Sequence, residues 1–305
     1  MPFELTILGA SGAIPAYGRF TSAQYLNINN HHFLVDCGEG VQLQLAKTSV
    51  SIHRISHIFI SHLHGDHYLG LMGLLFTMHL NHRETDLHLY SHRGLDEIIL
   101  TQLRHSHSVL RYQLHFHELT PGKNEVIFEN DYLTIESFPL MHRLACSGFI
   151  FREKPKPRRI DKDRLPVDMK LQYIAQLKLG NDIHDDDGKL LYKNEDYTLP
   201  PRPSFSYAYC SDTAIFPELT RYIKDVDVLY HEATFMEEER DKASETFHST
   251  ASDAARVAQM VHAKKLLIGH YSARYRELDG LLAEARAIFP NTELAIDLNT
   301  IEVKS

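Results

Sequence analysis

Short apolar runs recur along the chain, and each ends in a polar cluster: "ELTILGASGA", "HHFLVDCGEG", "SHIFISHLHGDH", "LTIESFPLMH", "SYAYCSDT", "DVDVLYHEAT" and "KKLLIGHYS". Runs of this kind, rich in Ile, Leu, Val, Phe and Tyr and bounded by Gly, Ser or Asp, predict strands. Between them the spacing turns helical. Leu69, Met72, Leu75 and Met78 recur at every third position, and Ala254, Val257, Ala258 and Val261 make a second apolar face. Strand and helix alternate, so the pattern predicts a layered α/β architecture.

Residues 152–203 break this pattern. The segment opens with "REKPKPRRIDKDRLP" and closes with "YTLPPRPS", and residues 152–164 hold seven Lys or Arg against three acidic residues. Its middle offers one short helix and a turn. It reads as a basic, Pro-rich arm inserted into a single domain spanning 1–305; the plain alternative is a solvated surface loop.

Composition narrows the function. At 305 residues and 43% hydrophobic content the chain can bury a substantial core. It has no uninterrupted apolar run of about 18 residues and no basic N-terminal region ahead of a cleavage site, so the expectation is a cytoplasmic protein with no membrane partner. Cys37, Cys146 and Cys210 are widely spaced and form no C-x-x-C, which disfavours a disulfide framework and a thiolate metal site. The net charge is -8 and the pI near 6.2, so a polyanionic partner would have to find a local patch. What stands out is 21 histidines, because imidazole is the commonest metal ligand.

Four candidate ligands crowd into "SHLHGDH": His62, His64, Asp66 and His67. The run lies between a predicted strand, "HIFI", and a predicted helix, "YLGLMGLLFTM", hence on a turn at the carboxyl end of a strand, where α/β sheets place their sites. Gly65 lets the first two histidines point one way while Asp66 and His67 serve a second position. Other strand ends supply His142, Asp212 and His270. Five imidazoles and two carboxylates suit zinc, with manganese or iron as substitutes. Two such cations outweigh the carboxylates and would favour an anionic substrate, and hydrolysis of a phosphate ester follows more naturally than redox chemistry. The pairs His105/His107 and His115/His117 serve as controls; the latter, in "LHFHEL", is one face of a strand.

H-x-H-x-D-H at 62–67, with a later His, Asp and His at strand ends, resembles the metallo-β-lactamase superfamily. "HEATF" at 231–235, "HST" at 248–250, "GHYSARY" at 269–275 and the opening "LGASGAIPAYGRFTSAQYL" resemble, over most of the chain, the ribonuclease Z family of tRNA 3′-processing endonucleases in its short, homodimeric form. The resemblance implies a four-layer αββα sandwich holding two Zn2+ per chain. It assigns His62, His64, His142 and Asp212 to one zinc, and Asp66, His67, Asp212 and His270 to the other, with Asp212 bridging. It makes Asp66 the proton acceptor for the attacking water, and Glu232 with His248 a pair that assists the leaving group. His248 precedes a predicted helix N-terminus capped by Ser249 or Thr250, where backbone amides favour phosphate. Asp36 resembles a position that supports a ligand histidine.

The expected partner is precursor tRNA, cut to leave a 3′-hydroxyl on the tRNA, with Lys154, Lys156, Arg158 and Arg159 of the arm as candidate tRNA contacts. Two features depart from the family. Arg19-Phe20 stands where Arg-Asn is usual, and the arm lacks a Gly-Pro tip. The competing expectation is a phosphodiesterase or sulfatase of the same superfamily acting on small esters, which would have no use for a basic arm.

Overall fold

The computed structural model describes residues 2–304. The strands run, in chain order, β1 (Phe3–Gly9), β2 (Ala23–Ile28), β3 (His31–Val35), β4 (Ile55–Phe59), β5 (Leu87–Ser91), β6 (Leu114–Glu118), β7 (Glu125–Glu129), β8 (Leu133–Leu140) and β9 (Cys146–Glu153). Four short strands follow, β10 (Arg159–Ile160), β11 (Ile183–His184), β12 (Leu190–Tyr192) and β13 (Thr198–Leu199). The chain then makes β14 (Ser206–Cys210), β15 (Val228–Glu232), β16 (Lys265–Gly269), β17 (Thr292–Leu294) and β18 (Thr300–Glu302). The helices are α1 (Val41–Ala46), α2 (Gly65–Tyr68), α3 (Leu71–Leu80), α4 (Leu95–His105), α5 (Leu171–Lys178), α6 (Asn194–Tyr197), α7 (Leu219–Tyr222), α8 (Arg240–Thr246), α9 (Ala251–Met260) and α10 (Asp279–Ile288). All seven quoted apolar runs contain a strand.

Two seven-stranded sheets result, ordered β18-β1-β2-β3-β4-β5-β6 and β17-β16-β15-β14-β9-β8-β7. Within them β3 to β6 and β14 to β17 are parallel. Parallel neighbours end together, so the loops after their carboxyl ends are gathered at one edge of each sheet. Leu5, Phe33 and Phe59 of the first sheet share one buried cluster with Phe138, Phe149 and Tyr209 of the second. On the other face of the first sheet, Leu34 and Ile58 pack with Leu74, Leu75 and Met78 of α3 and Ile99 of α4. Ala254 and Val257 of α9 and Leu281 of α10 pack against the second sheet. The architecture is the four-layer αββα sandwich.

One expected helical face is corrected. A stripe at every third residue falls 60° short of a full turn at each step, so it winds off any single face. The chain instead breaks between α2 and α3, the buried set is Leu71, Leu74, Leu75 and Met78, and Leu69 is 59% exposed. The face at Ala254, Val257, Ala258 and Val261 is buried at all four positions.

The chain divides into two compact units, one of Met1–Phe151 and Phe205–Ser305 and one of Arg152–Ser204. The second is more than a solvated loop. Met169, Leu177 and Ile183 form its own core, with Tyr173, Tyr192 and Tyr197 packed against them. β10 pairs with β13 and β11 with β12, and buried Asn194 donates to the Leu177 carbonyl.

Candidate metal centre

β4 runs out into His62 and His64, and Gly65 begins α2, which carries Asp66 and His67. His142 follows β8, Asp212 follows β14, and His270 follows β16 with a left-handed backbone, φ +60°. The fold brings all seven together. Ligand atoms of His62, His64, His142 and Asp212 lie within 4.8 Å of one another, as do those of Asp66, His67 and His270. Asp212 divides its oxygens between the sets: Oδ2 is 3.5 Å from His62 Nε2 and 3.9 Å from His142 Nε2, while Oδ1 is 3.3 Å from His67 Nε2 and 3.2 Å from His270 Nε2.

Four of the five imidazoles have Nδ1 committed outward. His67 Nδ1 donates to Asp36 Oδ2 at 2.7 Å, His142 Nδ1 to the Phe247 carbonyl at 3.1 Å, His270 Nδ1 to Thr234 Oγ1 at 2.9 Å and His62 Nδ1 to Ser61 Oγ at 3.1 Å. In the neutral ring such bonds fix the tautomer and leave Nε2 a lone-pair donor. Those lone pairs then face one another: His62 Nε2 lies 3.0 Å from His64 Nδ1, His142 Nε2 3.2 Å from the same atom, and His67 Nε2 3.3 Å from His270 Nε2. Buried Asp212 Oδ1 has no hydrogen-bond partner among the described residues. Tetrahedral ligand nitrogens around zinc stand about 3.3 Å apart, so the donor set fits a divalent cation. Burial, with His62 and His142 beside it, lowers His64 to about 4. Burial opposes charge on His67 too, but Asp212, Asp66 and Asp36 outweigh it and raise its pKa. Metal uptake there would displace a proton.

Asp66 Oδ2 accepts the backbone N–H of Ala13 at 2.7 Å and lies 3.4 Å from His67 Nε2 and 3.2 Å from His270 Nε2. Burial would raise its pKa, yet the two imidazoles hold it well below the carboxylate range. Gly12 lets this loop approach, since a Cβ there would stand 2.8 Å from the His270 ring. Glu232, fully buried, accepts from the backbone of Thr213 and Thr234 at 3.0 Å each and from Thr234 Oγ1 at 2.7 Å. His248 Nδ1 is 2.8 Å from Glu232 Oε1. Burial opposes charge on His248, but Glu232 pushes it up to about 9. Thr250 is the N-cap of α9, in a capping box with Asp253, whereas Ser249 Oγ donates to the Thr213 carbonyl.

Asp36 also accepts from Ser61 N at 2.7 Å and Tyr209 Oη at 2.7 Å. Arg19 spends its guanidinium on the carbonyls of Arg276 and Tyr275. His105 and His107 sit at the exposed end of α4, and His115 and His117 lie on β6, in none of the ligand groups. Lys154, Lys156, Arg158 and Arg159 belong to the other unit. Three of them staple it: Lys156 Nζ pairs with buried Glu153 at 2.7 Å, Arg158 Nε donates to Thr198 Oγ1 at 2.7 Å, and Arg159 Nε to the Pro200 carbonyl at 3.0 Å. Sequence reasoning missed Ser61, Thr234, Phe247 and Ala13. Thr234 was visible within "HEATF"; Ala13 and Phe247 act through backbone atoms, which leave no signature in the sequence.

Residues 3–156 match the family model described as anti-Pycsar protein Apyc1. The ribonuclease Z of Cytophaga hutchinsonii is 46% identical over 97% of this chain and 95% of its own length. That of Bacteroides fragilis is 42% identical over 96% of each. Among solved structures, human tRNase Z, short form, superposes with a TM-score of 0.73 at 26% identity, over 99% of this chain and 100% of that one. The metallo-β-lactamase fold protein YhfI from Bacillus subtilis, at 19% identity and a TM-score of 0.69, covers 99% of this chain and 100% of its own and shares the fold.

Proposed function

From the premise that the chain belongs to the ribonuclease Z family of phosphodiester-hydrolysing endonucleases, and over residues 3–156 to the anti-Pycsar protein Apyc1 family, we propose that it removes the 3′ trailer from precursor tRNA. One observation carries the reading: seven convergent donor groups, five of them lining one cleft, stand beside His248 on the same cleft wall, with buried Glu232 behind it. The Apyc1 match ends at residue 156, whereas the ribonuclease Z relatives match through the 152–204 unit, which favours tRNA over a small ester.

His62, His64, His142 and Asp212 would hold one zinc, and Asp66, His67, His270 and Asp212 the second. When bound, the pair would supply Lewis acidity and make hydroxide available near neutral pH. Asp66, kept ionised by its imidazole neighbours and fixed by Ala13 N–H, orients the attacking water by accepting one of its protons. His248, protonated at neutral pH, donates its proton to the 3′-oxygen as the P–O bond breaks, and Glu232 holds it in place. The tRNA body leaves with a 3′-hydroxyl and the trailer with the phosphate.

The 152–204 unit serves in this reading as the tRNA grip. Because Lys156, Arg158 and Arg159 are tied down, exposed Lys162 and Arg164 join them as phosphate contacts. The family also suggests a cytoplasmic homodimer, a state that sedimentation of the purified chain would check. Among the described residues no helix is long and apolar enough to cross a membrane.

The test is incubation of metal-loaded protein with precursor tRNA and mapping of the ends. A single cut at the trailer junction with a 3′-hydroxyl on the body is expected. Metal-loaded protein that ignores this RNA but hydrolyses a small phosphodiester would move the site to small esters.

A further inference from the structure

The Phe247 side chain plays no part in the chemistry above, yet the fold holds it at the mouth of the site against two penalties. Its backbone is left-handed, φ +58° and ψ +46°, where bulky side chains rarely go. The residue is 40% exposed. The backbone has an explanation, since its carbonyl accepts from His142 Nδ1. Glycine would present the same carbonyl with less strain, so the ring needs a reason of its own.

The ring lines a cleft of about 410 Å³ together with Asp66, His142, Arg143 and His248. Arg143 is exposed, follows the ligand His142, and makes no ion pair among the described residues. An aromatic face and an unpaired guanidinium thus stand beside the place where the phosphodiester would be cut. We propose that Phe247 and Arg143 form a nucleotide subsite, the ring stacking on the base that flanks the scissile phosphate and the guanidinium taking a neighbouring phosphate. Every base offers a π-face, and unpaired RNA leaves it free to stack. Guanidinium matches phosphate by charge and by its planar fork of donors. The inference rests on the reading of the chain as an RNA-cutting enzyme.

The experiment is an equilibrium titration of the metal-loaded full chain with a 3′-extended acceptor hairpin carrying a non-hydrolysable methylphosphonate at the trailer junction. The probe is made with the natural base, or with an abasic residue, at either flank of that linkage. Wild type should prefer the natural base at one flank by roughly 5- to 100-fold. Phe247→Gly, which keeps the left-handed backbone and the carbonyl, should lose that preference with bound metal unchanged, and Phe247→Tyr should retain it. Arg143→Ala should weaken both probes alike and lower the slope of log affinity against log salt by about 0.7. No preference in wild type, or an undiminished preference in Phe247→Gly, overturns the subsite. If the preference stands while native precursor tRNA is left uncut, the subsite is supported and the tRNA reading falls.

Discussion

Asp212 reaches toward two sets of imidazoles with different oxygens, whereas among the described imidazoles Asp66 touches only those of His67 and His270. The two carboxylates therefore answer differently to truncation. Asp212→Ala should lower bound metal and activity together. Asp66→Ala should cost ~100- to 10,000-fold in kcat, the usual worth of a positioned proton acceptor, while retaining most metal. Metal analysis and turnover on the same preparations decide it; near-normal turnover in Asp66→Ala would remove that residue from the chemistry. His117→Ala is the control, and its metal content should match wild type. At this scale the candidate ligands were legible in the sequence because they are distinctive residues at or just beyond the ends of apolar runs. Ala13 N–H and the Phe247 carbonyl were not, because any residue type supplies those groups.

Across β4, β5 and β6, His57, His88 and His115 stand in register, with ring centroids 4.7 and 4.8 Å apart. His117 Nε2 lies 2.9 Å from His88 Nδ1, and the His117 ring stacks on Tyr90. Phe33, Phe128 and Tyr90 press on His57, and Asp86 faces His115 at 2.8 Å. Burial, then His88, His117 and His31, lowers His57 to about 3; burial and neighbouring imidazoles also lower His88 and His117. A histidine whose folded pKa lies below its unfolded value near 6.5 contributes full stability above pH 6.5 and loses it as pH falls toward the folded pKa. Going from pH 7.5 to 5 should therefore cost about 2 kcal/mol from His57 alone. Urea midpoints at the two pH values measure this, and His57→Phe should remove most of it; an unchanged pH dependence would mean the loss arises elsewhere. The sequence revealed His115 and His117 as one strand face, but not the row. Register couples strands far apart in the chain, and no local periodicity records it.

The whole chain carries -8, while tRNA is a dense polyanion, so attraction depends on where the positive charge sits. Within the 152–204 unit, the basic residues 152–164 contrast with Asp182, Asp185, Asp186 and Asp187 around the β11–β12 hairpin. The sequence displayed the basic run and the prolines; the unit's small core joins residues from 169 to 197, and the stapled lysine and arginines bond to residues 198–203, contacts which composition cannot show. Lys162→Ala with Arg164→Ala should weaken precursor tRNA binding and reduce the slope of log affinity against log salt by roughly 0.7 to 0.9 per lost contact. Hydrolysis of a small phosphodiester should stay near wild type. Equal loss on both substrates would make the segment structural.

The account stands most directly on metal content and trailer cleavage measured in one sample, stripped by chelation and reloaded with zinc. It predicts that cleavage at the trailer junction vanishes on stripping and returns as the second ion per chain is bound. Cleavage that persists in stripped protein, or two bound ions with the precursor left intact, would contradict it.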